Sequence, residues 1–348
     1  MHSGAVSSGL LPRHAQPAAS TAGRRTASVP AEVDHAAWQF YTHLAEALFY
    51  LGKRTEALNA LFLAAKLAAR SDQHGSDLAR TLNALGAMHC RLQNPEVGER
   101  LLRQAVFLFE DAYGPEHPEL GTALFNLATA HKLREKYDVA LRQCERALVI
   151  AEIANGPGTV EAAHVLDLLG DVYLAIGRRS DALAVLRRAL DIKEHTLDGN
   201  DWSTAVTLGK LGELYIDIGS YDEAEPLLVY ALAIKRRRVG KHDPALAPDL
   251  ERLAYLYGVQ HRVEETEALL KSALAMVKQS LGPRRPEIVT ALGRLAKTYR
   301  KQNCFVGTKR LLEVAIAVVE KAAGPRHADT DTALEFYSEI LRVLNTPA

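Results

Sequence analysis

The sequence of 348 residues has little cysteine, and its cysteines form no recognisable site. Cys90, Cys144 and Cys304 are odd in number and far apart, with no CxxC pair and no histidine at metal-ligand spacing beside them. This pattern argues against a disulfide framework and a zinc site, and it indicates free thiols in a reducing compartment. We therefore expect neither a metal nor a cofactor.

An excess of charge of one sign is also missing, because Lys plus Arg and Asp plus Glu number 42 each. A neutral molecule lacks the overall positive field that draws proteins to nucleic acid, so nucleic acid is not an expected partner. No stretch approaches the roughly 20 uninterrupted apolar residues of a membrane span, so membrane insertion is not expected either.

Motifs of known enzymes are absent as well. The sequence contains no phosphate-binding GxxxxGK[ST], no GxGxxG after a strand, no HExxH and no GxSxG. These motifs place phosphate-binding loops, zinc ligands or nucleophiles, so their absence removes the usual signals of catalysis. We predict no catalytic residue and no small-molecule substrate.

The N-terminal segment differs from the rest of the sequence. Its first 31 residues contain three arginines and no Asp or Glu, and they are rich in Ser, Ala, Gly and Pro. This composition is typical of a disordered tail, and also of an organellar transit peptide. Pro12 and Pro17 would interrupt the amphipathic helix of such a peptide. We assign residues 1–33 to a disordered tail or a transit peptide.

From residue 34 onward the sequence is an internal repeat. Small residues recur 41 and then 42 residues apart at Ala45, Gly86, Ala128, Gly170, Gly212, Ala254 and Ala296. Two further rows, beginning at Ala57 and Ala64, keep the same period. Within each unit apolar residues fall three and four apart, so each unit is a pair of helices. A glycine marks each boundary between units, followed by Pro at four of six boundaries and by Asn or Lys at Gly199 and Gly240. We expect these glycines to adopt the left-handed conformation of a helix C-cap. A fixed period of this length indicates a solenoid.

The sequence therefore predicts an all-α solenoid of seven antiparallel helix-pair repeats over residues 34–328. One more helical pattern, at residues 329–348, is expected to form a capping helix and a short tail.

The repeat resembles a known family. Small residues at positions 8, 20 and 27 of each unit are similar to the tetratricopeptide signature, which Leu127-Ala128, Tyr137, Ala140 and Ala147 match. The longer period and the segments GPEHPE, GKHDPA, GPRRPE and SYDEAEPLLVYALAIK resemble the subclass found in kinesin light chains. The likeness covers about nine-tenths of the chain, and it implies a right-handed α-solenoid that binds protein segments in a concave groove lined by the first helices.

The resemblance also implies which residues face that groove. The candidate partner-binding residues are Asn83, Asn126, Lys132, Lys210, Arg252, Tyr255, Arg294, Lys297 and Lys301. Because Arg and Lys bind carboxylates through charge-assisted hydrogen bonds, we expect the C-terminal half of the groove to take an acidic, extended or helical segment. The alternative is that these charges only keep an exposed helix face soluble.

Two other groups of residues are interpreted as structural. His89 and His131 stand where later repeats have tyrosines, which indicates packing positions rather than metal ligands. The basic run Lys235 to Arg238, with Lys241 after it, is interpreted as a solvated helix end, where the helix dipole favours cations. A contact with an anionic partner is the alternative for this run.

These features favour a non-catalytic scaffold or adaptor that binds other proteins in the cytoplasm. The alternative is a mitochondrial assembly factor that uses the same solenoid, and its support is the N-terminus without acidic residues.

Overall fold

The structure is a computed structural model that describes residues 31–71 and 75–260, together with single positions between 262 and 273. Residues 31–71 and 75–260 contain eleven α-helices. The helices are α1 Ala31–Tyr50, α2 Arg54–Ser71, α3 Ser76–Arg91, α4 Pro95–Tyr113, α5 Pro118–Leu133, α6 Tyr137–Asn155, α7 Val160–Ala175, α8 Arg179–Thr196, α9 Trp202–Asp217, α10 Tyr221–Val239 and α11 Ala247–Val259. A short 3-10 helix, Pro244–Leu246, precedes α11.

The helices stack as pairs along the chain. Each odd-numbered helix packs against the even-numbered helix that follows, and each even-numbered helix also packs against the first helix of the next pair. This arrangement confirms the predicted all-α solenoid for five pairs and the first helix of a sixth. The seventh repeat, the capping helix at 329–348 and residues 1–30 lie outside the described residues.

Small residues at the predicted positions bring the two helices of a pair together. Gly86, Gly170 and Gly212 lie against the second helix of their own repeat, and a Cβ atom on any of them would lie 2.5–2.6 Å from a leucine side chain. At the equivalent positions of three other repeats, Ala45, Ala128 and Ala254 have 0% exposure. The recurrence of Gly and Ala thus has a steric cause, because the helix surfaces interlock too closely for a larger side chain.

The turn inside each pair contains one residue with a positive φ. These residues are Gly52, Gln93, Glu135, Gly177 and Gly219, with φ between 59° and 81°. Glycine adopts this conformation readily, whereas Gln93 and Glu135 hold it with a Cβ atom present. The turn geometry is therefore constant along the solenoid although the residue is not.

The turns between pairs differ from the prediction. Gly114, Gly156 and Gly240 follow second helices with φ of 84–94°, but their ψ of 160–179° lies outside the left-handed helical region expected for the boundary glycines. The region that these three glycines do occupy, with positive φ and ψ near 180°, is open almost only to glycine. Gly199 does not cap α8, because α8 ends at Thr196 and its C-cap residue is Leu197, with φ −108°. An Asx turn follows instead, in which the Asn200 backbone N–H donates to Asp198 Oδ1 at 2.8 Å.

Candidate functional site

The first helices α1, α3, α5, α7, α9 and α11 form one side of the stack, here called the first-helix face. Asn83 on α3 and Asn126 on α5 meet across neighbouring repeats, with Asn126 Nδ2 donating to Asn83 Oδ1 at 2.9 Å. Both predicted residues are half-buried. The structure thus brings these two amides together, and it shows that each already serves as the other's partner.

Lys132 on α5 and Lys210 on α9 meet at one aspartate of the helix between them. Lys132 Nζ donates to Asp171 Oδ2 at 2.7 Å, and Lys210 Nζ lies 2.6 Å from Asp171 Oδ1. Lys210 Nζ also donates to the main-chain oxygen of Asp167 at 3.1 Å. We name Lys132, Asp171 and Lys210 the lysine–aspartate triad, which links three consecutive repeats.

Arg252 on α11 is paired with two carboxylates. Its Nε bonds Glu213 of the preceding repeat, and its Nη1 donates to Asp249 Oδ1 at 2.9 Å. Burial lowers the pKa of Arg252, but the charges and hydrogen bonds of Glu213 and Asp249 outweigh it and raise that pKa, so the guanidinium stays charged. Tyr255 is half-buried and packs against the apolar core around α9 and α10.

The remaining predicted groove residues, Arg294, Lys297 and Lys301, lie outside the described residues. Their role in binding an acidic segment stays a prediction.

One opening on the first-helix face lies between α1 and α3. This N-terminal cavity has a volume of about 540 Å³. Its lining includes Trp38, Phe49, Tyr50, Met88 and Arg91. Trp38 is held in place by a 2.8 Å hydrogen bond from its Nε1 to Thr81 Oγ1. The wall of the N-terminal cavity is therefore aromatic and largely apolar.

A central cavity of about 390 Å³ opens between α3, α5 and α7. Its lining includes Phe125, Asn126, His164 and, shared with the N-terminal cavity, Ala87 and Arg91. The exposed Arg91 guanidinium lies 5.2 Å from the centre of the Phe49 ring. Among the described residues, Arg91 has no carboxylate partner, in contrast to Lys132, Lys210 and Arg252.

These cavities lie in the N-terminal half of the stack, whereas the sequence pattern directed attention to the C-terminal half. Of the six predicted residues that the structure describes, Asn126 alone lines either cavity. The sequence did contain a signal for the N-terminal cavity, because the first repeat has two aromatic residues, Phe49 and Tyr50, at positions 12 and 13 of its unit.

A buried ionic network lies beneath the first-helix face. The Lys193 side chain is 0% exposed, bonds Asp167 Oδ2 and donates to Thr207 Oγ1 at 2.9 Å. One repeat later, Lys235 Nζ donates to both oxygens of Asp249 at 2.7 and 2.8 Å. Lys235 was predicted to lie on a solvated helix end, and this was wrong. The Lys235 ammonium group can be buried because the Asp249 carboxylate pairs with it.

The other cations of that basic run lie at the surface. Arg236, Arg237 and Arg238 are exposed. Arg237 Nη1 donates to Asn200 Oδ1 at 3.2 Å, and Arg238 Nη1 lies 3.5 Å from Asp201 Oδ2. Arg237 and Arg238 thus connect the end of α10 to the preceding loop between repeats.

His131 and Cys144 are buried as packing positions. The His131 side chain is 1% exposed, with Nδ1 2.6 Å from Gln143 Oε1. Burial raises the pKa of the Cys144 thiol to about 12, which keeps it protonated and unreactive at neutral pH. In the part of the chain that the structure describes, no three His, Cys, Asp or Glu side chains are grouped to hold a metal ion.

Two family models, both for the tetratricopeptide repeat, match the chain. One matches residues 77–148 and 131–195, and the other matches residues 204–245. The chain is a tetratricopeptide repeat protein. Its repeats are of the kinesin-light-chain type, as the 42-residue period indicated. No curated protein matches the sequence.

Solved structures share the architecture of this tetratricopeptide repeat protein. A Podosopora anserina protein described as a kinesin light chain with nearly identical TPR-like repeats is 21% identical, with a TM-score of 0.52 over 60% of this chain and 99% of that chain. BtubC (BKLC) from P. vanneervenii is 20% identical, with a TM-score of 0.53 over 74% of this chain and 96% of that chain. Aspartyl phosphate phosphatase F from Bacillus subtilis is 12% identical, with a TM-score of 0.53 over 91% and 72%. At these identities the likeness concerns the fold.

Among the described helices of this tetratricopeptide repeat protein, none combines the length and the apolar character needed to cross a membrane.

Proposed function

We propose that this tetratricopeptide repeat protein is a non-catalytic scaffold or adaptor that binds a segment of another protein along its first-helix face. The observation that carries the proposal is the pair of adjoining cavities on either side of Arg91. Tetratricopeptide repeats typically mediate protein–protein interaction, and these cavities support the first-helix face as the surface for it.

The chemistry of the cavities suits a peptide. Their volumes of about 390 and 540 Å³ fall within the range of ~300–1,000 Å³ found for ligand sites. Aromatic and apolar side chains line much of both, so apolar side chains of a partner would lose water on entering them. Arg91 lies between the cavities and has donors available for a carboxylate or a main-chain oxygen. An extended segment with apolar side chains fits this arrangement.

The likeness to the Bacillus subtilis phosphatase does not argue for catalysis here. It rests on 12% identity, and a shared fold does not carry a shared active site. We propose that the chain has no catalytic activity of its own. Hydrolysis of an aspartyl phosphate by the purified protein would contradict this.

A substitution at Ala87 tests the proposed surface. Ala87 lines both cavities, so Ala87→Arg places a long side chain into both. Ala184 on the second helix α8 is exposed, so Ala184→Arg is a matched control on the other side of the stack. Tagged wild type and both variants are purified from the native cells under mild crosslinking, and co-purifying proteins are quantified by mass spectrometry. We expect Ala87→Arg to lose partners that Ala184→Arg retains. Equal recovery with both variants would contradict binding at this surface.

The cellular setting is proposed to be the cytoplasm. The alternative is a mitochondrial assembly factor, which the acid-free first 31 residues support. The same mass spectrometry reads the mature N-terminus. An intact N-terminus with cytoskeletal or signalling partners favours the adaptor, and a start near residues 26–32 with organellar subunits favours the assembly factor.

A further inference from the structure

The lysine–aspartate triad has two cations and one carboxylate. Asp171 holds Lys132 through Oδ2 and Lys210 through Oδ1, at 2.7 and 2.6 Å. The side chains of Lys132, Asp171 and Lys210 are 27%, 24% and 19% exposed, so all three are half-buried but reachable from the surface. One carboxylate thus balances one of the two ammonium charges.

The neighbouring carboxylates do not supply the missing charge. Asp167 is paired with Lys193, and Glu213 is paired with Arg252. In the described part of the chain, neither Lys132 nor Lys210 bonds any other carboxylate. The triad therefore keeps a net charge of about +1 on a surface from which water is partly excluded, where charge interactions are screened less than in bulk solvent.

Hydrogen-bonding capacity is also left over. An ammonium group has three donors. Lys132 uses one of them on Asp171, while Lys210 uses its donors on Asp171 and on the main chain of α7. Within the described residues, Lys132 therefore has donors for a ligand, and the ligand that matches both the charge and the donors is a second carboxylate.

We propose that the lysine–aspartate triad binds an acidic side chain of the protein segment that occupies the first-helix face. This inference rests on the proposed function and names part of its ligand. The triad is centred on α7, two first helices along the stack from Arg91 on α3. At ~8–10 Å between packed helices, the separation is on the order of 20 Å. An extended chain covers this in about six residues. In the bound partner segment, the acidic residue is therefore expected about six positions from the residue that contacts Arg91.

A selection from a phage-displayed library of random 16-residue peptides tests this site. It is made on wild type, on Lys132→Gln/Lys210→Gln, on Asp171→Asn, and on Lys241→Gln as a control in an exposed loop. Thermal unfolding establishes that each variant is folded. Peptides that bind wild type but not Ala87→Arg are kept, because they require the cavities. We expect these peptides to carry Asp or Glu at one position, and Asp171→Asn to increase that preference.

Calorimetric titration then measures the contact directly. For a selected peptide, replacing its Glu by Gln is expected to weaken binding to wild type and to Lys241→Gln about tenfold, and to leave binding to Lys132→Gln/Lys210→Gln unchanged. An equal loss on all three proteins would overturn the triad as the carboxylate site, while the proposed function would stand. Failure to select any peptide that depends on Ala87 would count against the proposed function and the triad together.

Discussion

Leu186 occupies the space that a Cβ atom on Gly170 would need. An ideal Cβ on Gly170 would lie 2.6 Å from both Cγ and Cδ2 of Leu186, on the second helix of the same repeat. One repeat earlier the equivalent residues are Ala128 and Cys144, both fully buried. A larger residue on the first helix is thus matched there by a smaller one on the second, so the two positions share one volume.

This relationship predicts a compensating pair of substitutions. Gly170→Ala alone is expected to lower the free energy of unfolding by up to about 2 kcal/mol, because overpacking costs ~1–3 kcal/mol and the better helix propensity of alanine returns ~1 kcal/mol. In a background of Leu186→Cys, Gly170→Ala should cost at least about 1 kcal/mol less. Chemical denaturation of the four proteins measures this coupling, and strictly additive effects would refute the shared volume.

The turn residues with positive φ offer a second prediction. Glu135→Gly and Gln93→Gly are each expected to raise stability by about 0.5–1 kcal/mol, because a left-handed residue with a Cβ costs ~1–2 kcal/mol and glycine loses part of this gain through chain entropy. Gly177→Ala, at the equivalent turn, should lower stability. Thermal midpoints report these changes. As a control, Glu145→Gly on the exposed side of α6 should be destabilising by about 1 kcal/mol.

The buried Lys193 gives a third prediction. Lys193→Met removes the cation and leaves Asp167 buried without it, so we expect a loss of about 3 kcal/mol or more. Lys193→Met combined with Asp167→Leu removes both charges and should restore much of that loss. Arg236→Met on the exposed end of α10 serves as the surface control, with little expected change. A double variant as unstable as the single one would show that the pair does not act as a unit.

Glu99 on α4 makes stability depend on pH. Its side chain is 4% exposed and bonds Arg103, Arg134 and Lys136, with His131 nearby. Burial alone would raise the Glu99 pKa, but hydrogen bonds from Lys136 and Arg134 and the charges of His131 and Arg103 lower it to about 2.

The sign of the effect follows from that shift. Because the pKa in the folded protein lies below the ordinary value of 4.5, ionised Glu99 stabilises the fold above pH 4.5, and this contribution disappears as the pH falls towards 2. The pKa difference corresponds to stabilisation on the order of 3 kcal/mol. Glu99→Gln should therefore be destabilising at pH 6 and approach wild type near pH 2. Denaturation at several pH values measures this, with Glu135→Gln as the exposed control; a difference independent of pH would contradict it.

A fifth prediction compares the two halves of the first-helix face. Arg91→Glu should weaken binding of peptides that depend on Ala87 at least tenfold, because it replaces donors for a carboxylate or main-chain oxygen with a negatively charged acceptor. The double variant Arg294→Glu/Lys297→Glu tests the acidic-segment hypothesis for the C-terminal half. Calorimetric titration of each variant with the physiological partner measures the affinity and shows which half of the first-helix face binds it. Unchanged affinity in the double variant would refute that hypothesis, and unchanged affinity in Arg91→Glu would refute the N-terminal site.

The sequence by itself determined the repeat, the helix pairs and the small positions at their contact. These features are local or strictly periodic, so spacing alone exposes them. The residue types at Gly86, Gly170 and Gly212 follow from contacts inside one repeat, 16 residues apart in each case. The same regularity identified the family, because the family signature consists of residue types at fixed positions of the repeat, which the sequence shows directly.

Only the tertiary structure decided which charges are paired and where the cavities open. Lys132 and Asp171 are 39 residues apart, and so are Arg252 and Glu213, and each pair meets across a boundary between repeats. Whether such side chains face solvent or each other depends on how two repeats stack, which the pattern within one helix does not contain. Lys235 was misread for this reason, since Asp249 meets it from the next repeat. The cavities beside Arg91 likewise depend on the sizes of side chains from several helices, and the volume left between them exists only once those helices are packed.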